Sequence, residues 1–497
     1  MSSKILLVRP NISIRVGFDL QNRIYPPLGL AYLAGSLRQA GHTPVILDMV
    51  AENPEKAWTY HGTHICYGID DQELIARIEA IQPDIVGISG FTAQHPRIVE
   101  IVNAVKANYP AIPVVVGGIH ASSIPDKLMA ACPADYLLCG ESDQTFVQLV
   151  SALENKDFGA LGQIDGIVYR SGRDLVVLPK KDVITDVEAI PWPARELLPN
   201  EVYLANNVAM PVITSRGCPY QCVFCCVSLT QGHKWRSRGP KSVVDEMEYI
   251  VKTWGYRTIT IFDDAFNLDA KRVIGICQEI VKRDIKINLL IPSSLMIKHI
   301  TRDTLYWLKK AGCVAISLPF EHSDEKIRNT IINKGLTLEK FDEVLQWCRE
   351  IGLLALVNFV IGLPGETEET LISLNRYVEE NYFKMDALAV YIGTPFPGTA
   401  FYDECISKGY LVEPDKNDFI DFDLYDCLIN TTVLKAETVI KYKRIIDDTF
   451  IEKRSRTCDN ELVRKAMRKP DKESLEYVET IYLKEKERVW QECVHNN

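Results

Sequence analysis

The stretch RGCPYQCVFCC, residues 216–226, packs four cysteines into eleven residues. Three of them form Cys218-x3-Cys222-x2-Cys225, and Cys226 abuts the third. Zinc normally takes four ligands, often from paired Cys-x2-Cys knuckles. No second knuckle is nearby, and His233 is the one histidine at hand to complete such a set. A [4Fe–4S] cluster usually takes four cysteines, so three leave one iron open to a substrate or cofactor. The side chain of Cys226 points away from a metal held by its neighbour and reads as a packed thiol.

The cysteine stretch begins where an apolar strand ends, PVITSRG (211–217), and that strand opens a series. TITIFDD (258–264), INLLIP (287–292), VAISLPFE (314–321), LLALVNFVIGLPG (353–365) and DALAVYIGTPF (386–396) follow it, separated by helical patterns of 10 to 15 residues. Six βα units suit a partial barrel better than an open sheet, although periodicity alone does not separate the two. In barrels the chemistry sits at the carboxyl ends of the strands, which is where the cysteines fall.

Upstream lies a second alternation. KILLVRP, TPVILD (43–48), PDIVGISG (83–90), IPVVVGG (112–118) and ADYLLCG (134–140) read as five buried parallel strands with helices between them. The segment 26–42 is helical, opened by prolines and closed by Gly41, and 70–82, 95–110 and 142–155 are helical as well. A ligand of such a sheet sits beyond the carboxyl ends of its strands. The loops there are 10–11, 89–92, 117–122 and 140–142. Residues 156–207 read as a hairpin turning at RSGR and a proline-punctuated linker, AIPWPARELLP. The expected organisation is α/β throughout: a Rossmann-like domain at 1–155, hairpin and linker at 156–207, a partial barrel at 208–405, and a helical region at 406–497 that includes KESLEYVETIYLKEKERVWQEC.

The totals narrow the class. The chain has 497 residues, a net charge of -10 and 47% hydrophobic residues, which suits a multidomain globular protein. An acidic surface disfavours nucleic acid as the main partner. The N-terminus lacks the apolar core and cleavage site of a signal peptide, and no apolar run approaches the ~20 residues of a membrane span. A cytoplasmic location is expected. There, 14 cysteines are not a disulfide framework. Cys66, Cys132, Cys139, Cys277, Cys313, Cys348, Cys405, Cys427, Cys458 and Cys493 stand singly and are mostly expected as small buried hydrophobes.

With Phe224 inside the motif and the strand before it, the cysteine stretch resembles the radical S-adenosylmethionine (SAM) superfamily. The resemblance implies a [4Fe–4S] cluster on Cys218, Cys222 and Cys225. Its open iron binds the amino and carboxylate groups of SAM, which an electron cleaves to a 5′-deoxyadenosyl radical. It implies further that Phe224 lines the nucleoside side. In FDDAF (262–266), Asp263 or Asp264 would hold the methionine amino group; a helix N-cap is the other reading of either. In LPFEHSDEKI (318–327), Glu321 and Ser323 would approach the ribose or methionine, with His322 in place of a glycine usual in relatives. GLPGET (362–367) fits the family through backbone shape. In WRSRGP (235–240), Arg236 or Arg238 either pairs with a carboxylate or is an exposed structural arginine.

The first domain, through PPLGLAYLAGSLRQAGH, VVVGGIHAS and CGES, resembles the cobalamin-binding domain of cobalamin-dependent radical SAM enzymes. That implies cobalamin contacts from Asn11, Ser89, Gly117, Gly118, His120, Gly140 and Glu141. No Asp-x-His-x-x-Gly is present, so no protein histidine of that motif sits below cobalt. A domain that has lost cobalamin, or one that binds something else, fits the same absence. No Gly-x-Gly-x-x-Gly is present either, which disfavours a nicotinamide dinucleotide. The implied function is cobalamin-dependent methylation of an unactivated carbon in a small-molecule or lipid substrate, with an external flavodoxin- or ferredoxin-type electron donor. Oxidative cyclisation or rearrangement on the same scaffold is the alternative, and a non-enzymatic redox sensor is a third.

Overall fold

The computed structural model describes residues 2–16, 24–413, 419–422, 424 and 426–457. Two parallel sheets dominate it. In the first, five parallel strands run in the spatial order Thr43–Asp48, Lys4–Arg9, Ile85–Ser89, Val114–Gly117, Tyr136–Leu138. Ile5, Leu6, Leu7 and Val8 are all fully buried. Ile5 and Leu7 join one apolar cluster, and Leu6 and Val8 join another. That is the two-residue period of a strand covered on both faces. The chain leaves Lys4–Arg9 toward one edge and returns on the other side at Ile85–Ser89. The order therefore reverses between these two strands, and a ligand crevice opens beyond their carboxyl ends.

Several local signals explain the helices of this half. Helix Asp71–Ile81 starts with a capping box in which Asp70 accepts from the Glu73 N–H and the Glu73 side chain reaches back. Helix Leu28–Gln39 stops just before Gly41, which sits at φ 91°. The GGIHAS segment, expected as a loop, is instead a short helix, Gly118–Ser123, followed by Pro125–Ala131.

The hairpin is real but is not part of a free linker. Ile167–Ser171 and Asp174–Val177 extend the first sheet antiparallel to Tyr136–Leu138, making seven strands. A further three-stranded antiparallel sheet, Ile12–Arg15, His64–Tyr67 and Ala57–Tyr60, was not legible from the sequence pattern. Its hairpin turns through His61 and Gly62, both at positive φ, without the Asn-Gly signature that marks such turns.

The second sheet has six parallel strands in strictly sequential order: Met210–Val212, Thr258–Ile261, Asn288–Ile291, Cys313–Glu321, Leu354–Ile361 and Ala387–Ile392. Sequential order with right-handed crossovers puts every crossover helix on one face. The expected first strand is cut short after Val212. Ser215–Arg216 leaves the sheet and pairs antiparallel with Arg236–Ser237. The cause is a local competition: Thr214 and Ser215 donate their hydroxyls to Asp263 at the end of the neighbouring strand. Helix Ala436–Thr457 packs on helix Glu368–Asn381 and on the last strand, covering an edge that would otherwise expose backbone groups.

Among the described residues, no helix is long and apolar enough to cross a membrane. Of the single cysteines, Cys66, Cys132, Cys277, Cys313, Cys348, Cys405 and Cys427 are buried and Cys139 is half-buried. Cys458, Cys493 and the charged helical pattern at 472–493 lie outside the described residues.

Candidate functional site

The cysteine loop leaves the second sheet through Gly217 at φ 82°, where a Cβ would stand 2.4 Å from the Lys234 carbonyl. Only glycine fits there. The loop is pinned by backbone bonds. Val223 N donates to Ile332 O at 3.3 Å, Cys225 N to Cys222 O at 3.0 Å, and Phe401 N to Val223 O at 3.0 Å. Cys218, Cys222 and Cys225 carry free thiols. Burial pushes all three up, Cys225 to about 12, and the charge of Cys222 adds to the rise at Cys218 and Cys225. Cys226 is pushed to about 11 by burial alone, and it caps the short helix Val227–Gln231. No group of three His, Cys, Asp or Glu converges on a single-ion site among the described residues, and His233 is exposed. Three thiols that each bind a different iron of one cluster need not meet that condition.

Two adjacent aspartates at the end of Thr258–Ile261 separate cleanly. Asp263 is buried and largely engaged: it accepts from Thr214 N, from Thr214 Oγ1 at 2.6 Å and from Ser215 Oγ at 2.6 Å. These bonds make Asp263 a brace between the two strand ends. Asp264 accepts one bond, from Gly217 N at 3.2 Å, and burial pushes its carboxyl up to about 6 despite that donor. Spare acceptor capacity beside the cysteine loop belongs to Asp264.

Glu321 ends its strand at φ 73°, beside an irregularity in the pairing with Leu354–Ile361. A non-glycine residue there is strained, a feature that clusters at functional sites. Its carboxylate accepts from Lys334 Nζ at 2.6 Å. Burial disfavours the Lys334 charge, but Glu321, Cys222 and Cys225 outweigh it and raise the ammonium. Lys334 arrives on a turn that follows the π-helix Ile327–Ile331, whose next residue, Ile332, receives the Val223 N–H. Nothing in the sequence around Lys334 marked it. Ser323 Oγ is buried with no hydrogen-bond partner, which calls for an explanation in a packed protein.

The other motif residues find partners, although His322 Nε2 and Glu366 Oε1 approach each other without forming a hydrogen bond. His322 Nδ1 accepts from Asp324 N at 2.9 Å, which puts the ring proton on Nε2, 3.1 Å from Glu366 Oε1. Glu366 also accepts from Leu363 N at 2.8 Å, so GLPGET contributes a side chain as well as shape. Phe224 is half-buried against the main core. Arg236 and Arg238 are both buried and paired. Arg236 donates to Glu141, and Arg238 to Glu246, which also takes Arg195 at 2.6 Å.

Beyond the strand ends of the first sheet, two expected ligand contacts, Asn11 and Glu141, are engaged within the fold, and a third, His120, keeps its Nδ1 unpartnered. Asn11 is fully buried, donates to Tyr67 O and Ile69 O, and accepts from Arg97; its amide is spent inside the fold. Glu141 accepts from Arg236 at 2.8 and 2.9 Å and from Ile184 N at 2.7 Å. His120 is fully buried, with Nε2 2.7 Å from His95 Nδ1 and Phe419 alongside. Ser89, Gly117, Gly118 and Gly140 remain at the crevice. Gly118, at φ 89°, lies so close to Ser89 and Gly90 that a Cβ would stand 2.7 Å from Ser89 Oγ. Gly140, at φ 73°, donates its N–H to Ser122 Oγ at 2.9 Å.

Burial, with the His95 charge, holds His120 down to about 3. Its folded value lies below the unfolded one, so the unfolded chain binds the extra proton as pH falls. The stability is complete above about 6.5 and drains toward 3. Between pH 7 and 5 the His120 contribution should fall by about 2 kcal/mol. Thermal unfolding at both values should show a larger drop for the native chain than for His120→Gln; equal drops would contradict the assignment.

The comparisons with known proteins follow the two sheets. A B12 binding domain model matches residues 21–150, and a Radical SAM superfamily model matches 212–378. An uncharacterized methyltransferase of Pyrococcus horikoshii is 30% identical over 82% of this chain and 84% of its own. The anaerobic magnesium-protoporphyrin IX monomethyl ester cyclase of Rubrivivax gelatinosus is 28% identical over 88% of this chain and 74% of its own. Among solved structures, the cobalamin-dependent S-adenosylmethionine radical enzyme OxsB, with aqua-cobalamin and S-adenosylmethionine bound, superposes with a TM-score of 0.72. It covers 97% of this chain and 75% of its own at 16% identity, a likeness of fold.

Proposed function

The chain belongs to the cobalamin-dependent radical SAM methyltransferase family, and from that premise we propose that it methylates an unactivated carbon of a small-molecule or lipid substrate. Its cofactors are a [4Fe–4S] cluster, SAM and cobalamin. When bound, these supply hydrogen-atom abstraction and a methyl carrier, chemistry that the side chains lack. The protein binds, orients and excludes water.

Cys218, Cys222 and Cys225 each hold one iron and leave the fourth open. Asp264 accepts from the methionine ammonium, because it takes one bond within the fold where its neighbour Asp263 takes three. The Ser323 hydroxyl, buried and unpartnered, bonds the bound SAM. Glu321 pairs with Lys334 and faces the same ligand. Phe224 lies on the nucleoside side. Ser89, Gly117, Gly118 and Gly140 let backbone approach cobalamin closely. Hydrogen-atom removal needs no general base, so no such group is assigned. An external flavodoxin- or ferredoxin-type protein supplies the electron. The observation that supports this reading most is the Ser323 hydroxyl without a partner, past the same carboxyl ends of the second sheet's strands as three free thiols.

Oxidative cyclisation is the second reading, favoured by the cyclase relative. Anaerobic incubation of reconstituted protein with SAM and a reductant tests the enzyme reading: 5′-deoxyadenosine should form. Metabolites of a deletion strain separate the two: methylation predicts accumulation of a compound one methylene lighter than the missing product, and cyclisation predicts no such pair. Asp264→Asn should weaken SAM binding roughly tenfold to a hundredfold, the worth of a hydrogen bond to a charged group. Asp263→Asn should lower stability more than SAM affinity. Equilibrium binding to the cluster-loaded protein and thermal unfolding measure both. The reverse pattern would exchange the two roles.

A further inference from the structure

Arg216 and Arg236 sit opposite each other in a two-stranded antiparallel ribbon. Arg216 lies two residues before Cys218. Both guanidinium groups reach out of the second sheet to the loop that follows Tyr136–Leu138 in the first. Arg216 makes a two-pronged pair with Asp143, at 2.8 and 3.1 Å. Arg236 meets Glu141 at 2.8 and 2.9 Å, and Glu141 also stands 3.5 Å from Arg216. All four side chains are at most 8% exposed. We propose that these four are positioning residues that hold the cobalamin edge at a fixed distance and angle from the cysteine loop, an inference that rests on the cofactor reading above.

The chemistry of the pairs supports a geometric role. Two buried arginines side by side repel unless carboxylates come between them, and here two carboxylates do, so the group is neutral as a set. Burial works against the Asp143 charge, yet Arg216 keeps that carboxyl below its ordinary range, so the pair is ionic. A forked guanidinium on a carboxylate fixes orientation as well as distance. An apolar contact would allow sliding. Simple adhesion of the halves does not need this cluster. They are also joined by Tyr203 Oη to Asp48 at 2.7 Å and by Ala194 N to Ala31 O at 2.9 Å. Those joints lie away from the cysteine loop in sequence. The ion pairs are attached directly to it. A reaction that uses two metal centres on one substrate carbon is sensitive to small errors in their separation.

The test uses protein loaded with cobalamin and cluster, each reduced to its paramagnetic state, and reads their magnetic coupling by EPR. The native chain should give one resolved splitting, set by one separation. Asp143→Asn combined with Glu141→Gln should lose that resolved splitting, while the separate spectra of each centre and the loading of each stay unchanged. Arg216→Lys keeps the charge and loses the fork. It should smear the splitting too, and it carries the test if the double variant does not fold. A native splitting retained in variants that fold and bind both cofactors overturns the proposal. Native protein that takes up cluster but no cobalamin overturns the cofactor reading itself.

Discussion

Cys222→Ala is expected to abolish the cluster and, with it, all formation of 5′-deoxyadenosine. The loop offers three free thiols at the family's spacing, and the fourth, Cys226, directly follows the third and stands at the N-cap position of helix Val227–Gln231. Removing Cys222 leaves two, and a cluster with two protein ligands is not held. Cys222 also feels the charges of Lys334 and Lys298, cations that favour a bound thiolate. Iron and sulfide analysis after anaerobic reconstitution, together with the visible spectrum, measures the loss. Cys226→Ala should keep full iron. A brown Cys222→Ala protein with full iron would overturn the ligand assignment, and a colourless Cys226→Ala protein would move the third or a fourth ligand to Cys226.

The second large effect is expected at the other cofactor. Gly118→Ala should cut cobalamin affinity at least ~tenfold and leave the cluster untouched. At φ 89° an L-residue is strained, and its Cβ would stand 3.0 Å from Gly90 O and 3.2 Å from Gly90 N. The left-handed backbone alone costs roughly 1–2 kcal/mol. The contact with Gly90 is with backbone, which cannot swing away as the Ser89 side chain can. The loops after Ile85–Ser89 and Val114–Gly117 must therefore separate, next to where the sheet order reverses. Titration with hydroxocobalamin, followed in the visible, measures the change. Native affinity in a folded Gly118→Ala protein would remove the crevice from the cobalamin site.

The two predictions differ in how visible their residues were beforehand. Cysteine spacing is a local property, set by covalent neighbours, and so is the run of apolar residues that makes Ile5 to Val8 a buried strand. The sequence also carried both βα series and the hairpin at RSGR for this reason. The three-stranded sheet escaped because its turn, His61-Gly62, carries no strong signature and its strands come from segments 12–15 and 57–67. Asp263 and Asp264 were indistinguishable as neighbours. Only the arrival of Thr214 and Ser215, about 50 positions upstream, spent one and left the other. Glu141 was expected at a ligand and is held by Arg236, 95 positions away.

By itself, then, the sequence determined the two parallel sheets, the thiol motif and the family of chemistry, because each depends on residues close along the chain. Tertiary structure alone decided which polar side chains are left to meet a ligand. A buried polar group must find a partner when the chain folds, and those partners come from distant segments. Asn11, Asp263 and Glu141 found theirs within the protein, whereas His120 Nδ1 and Ser323 Oγ did not.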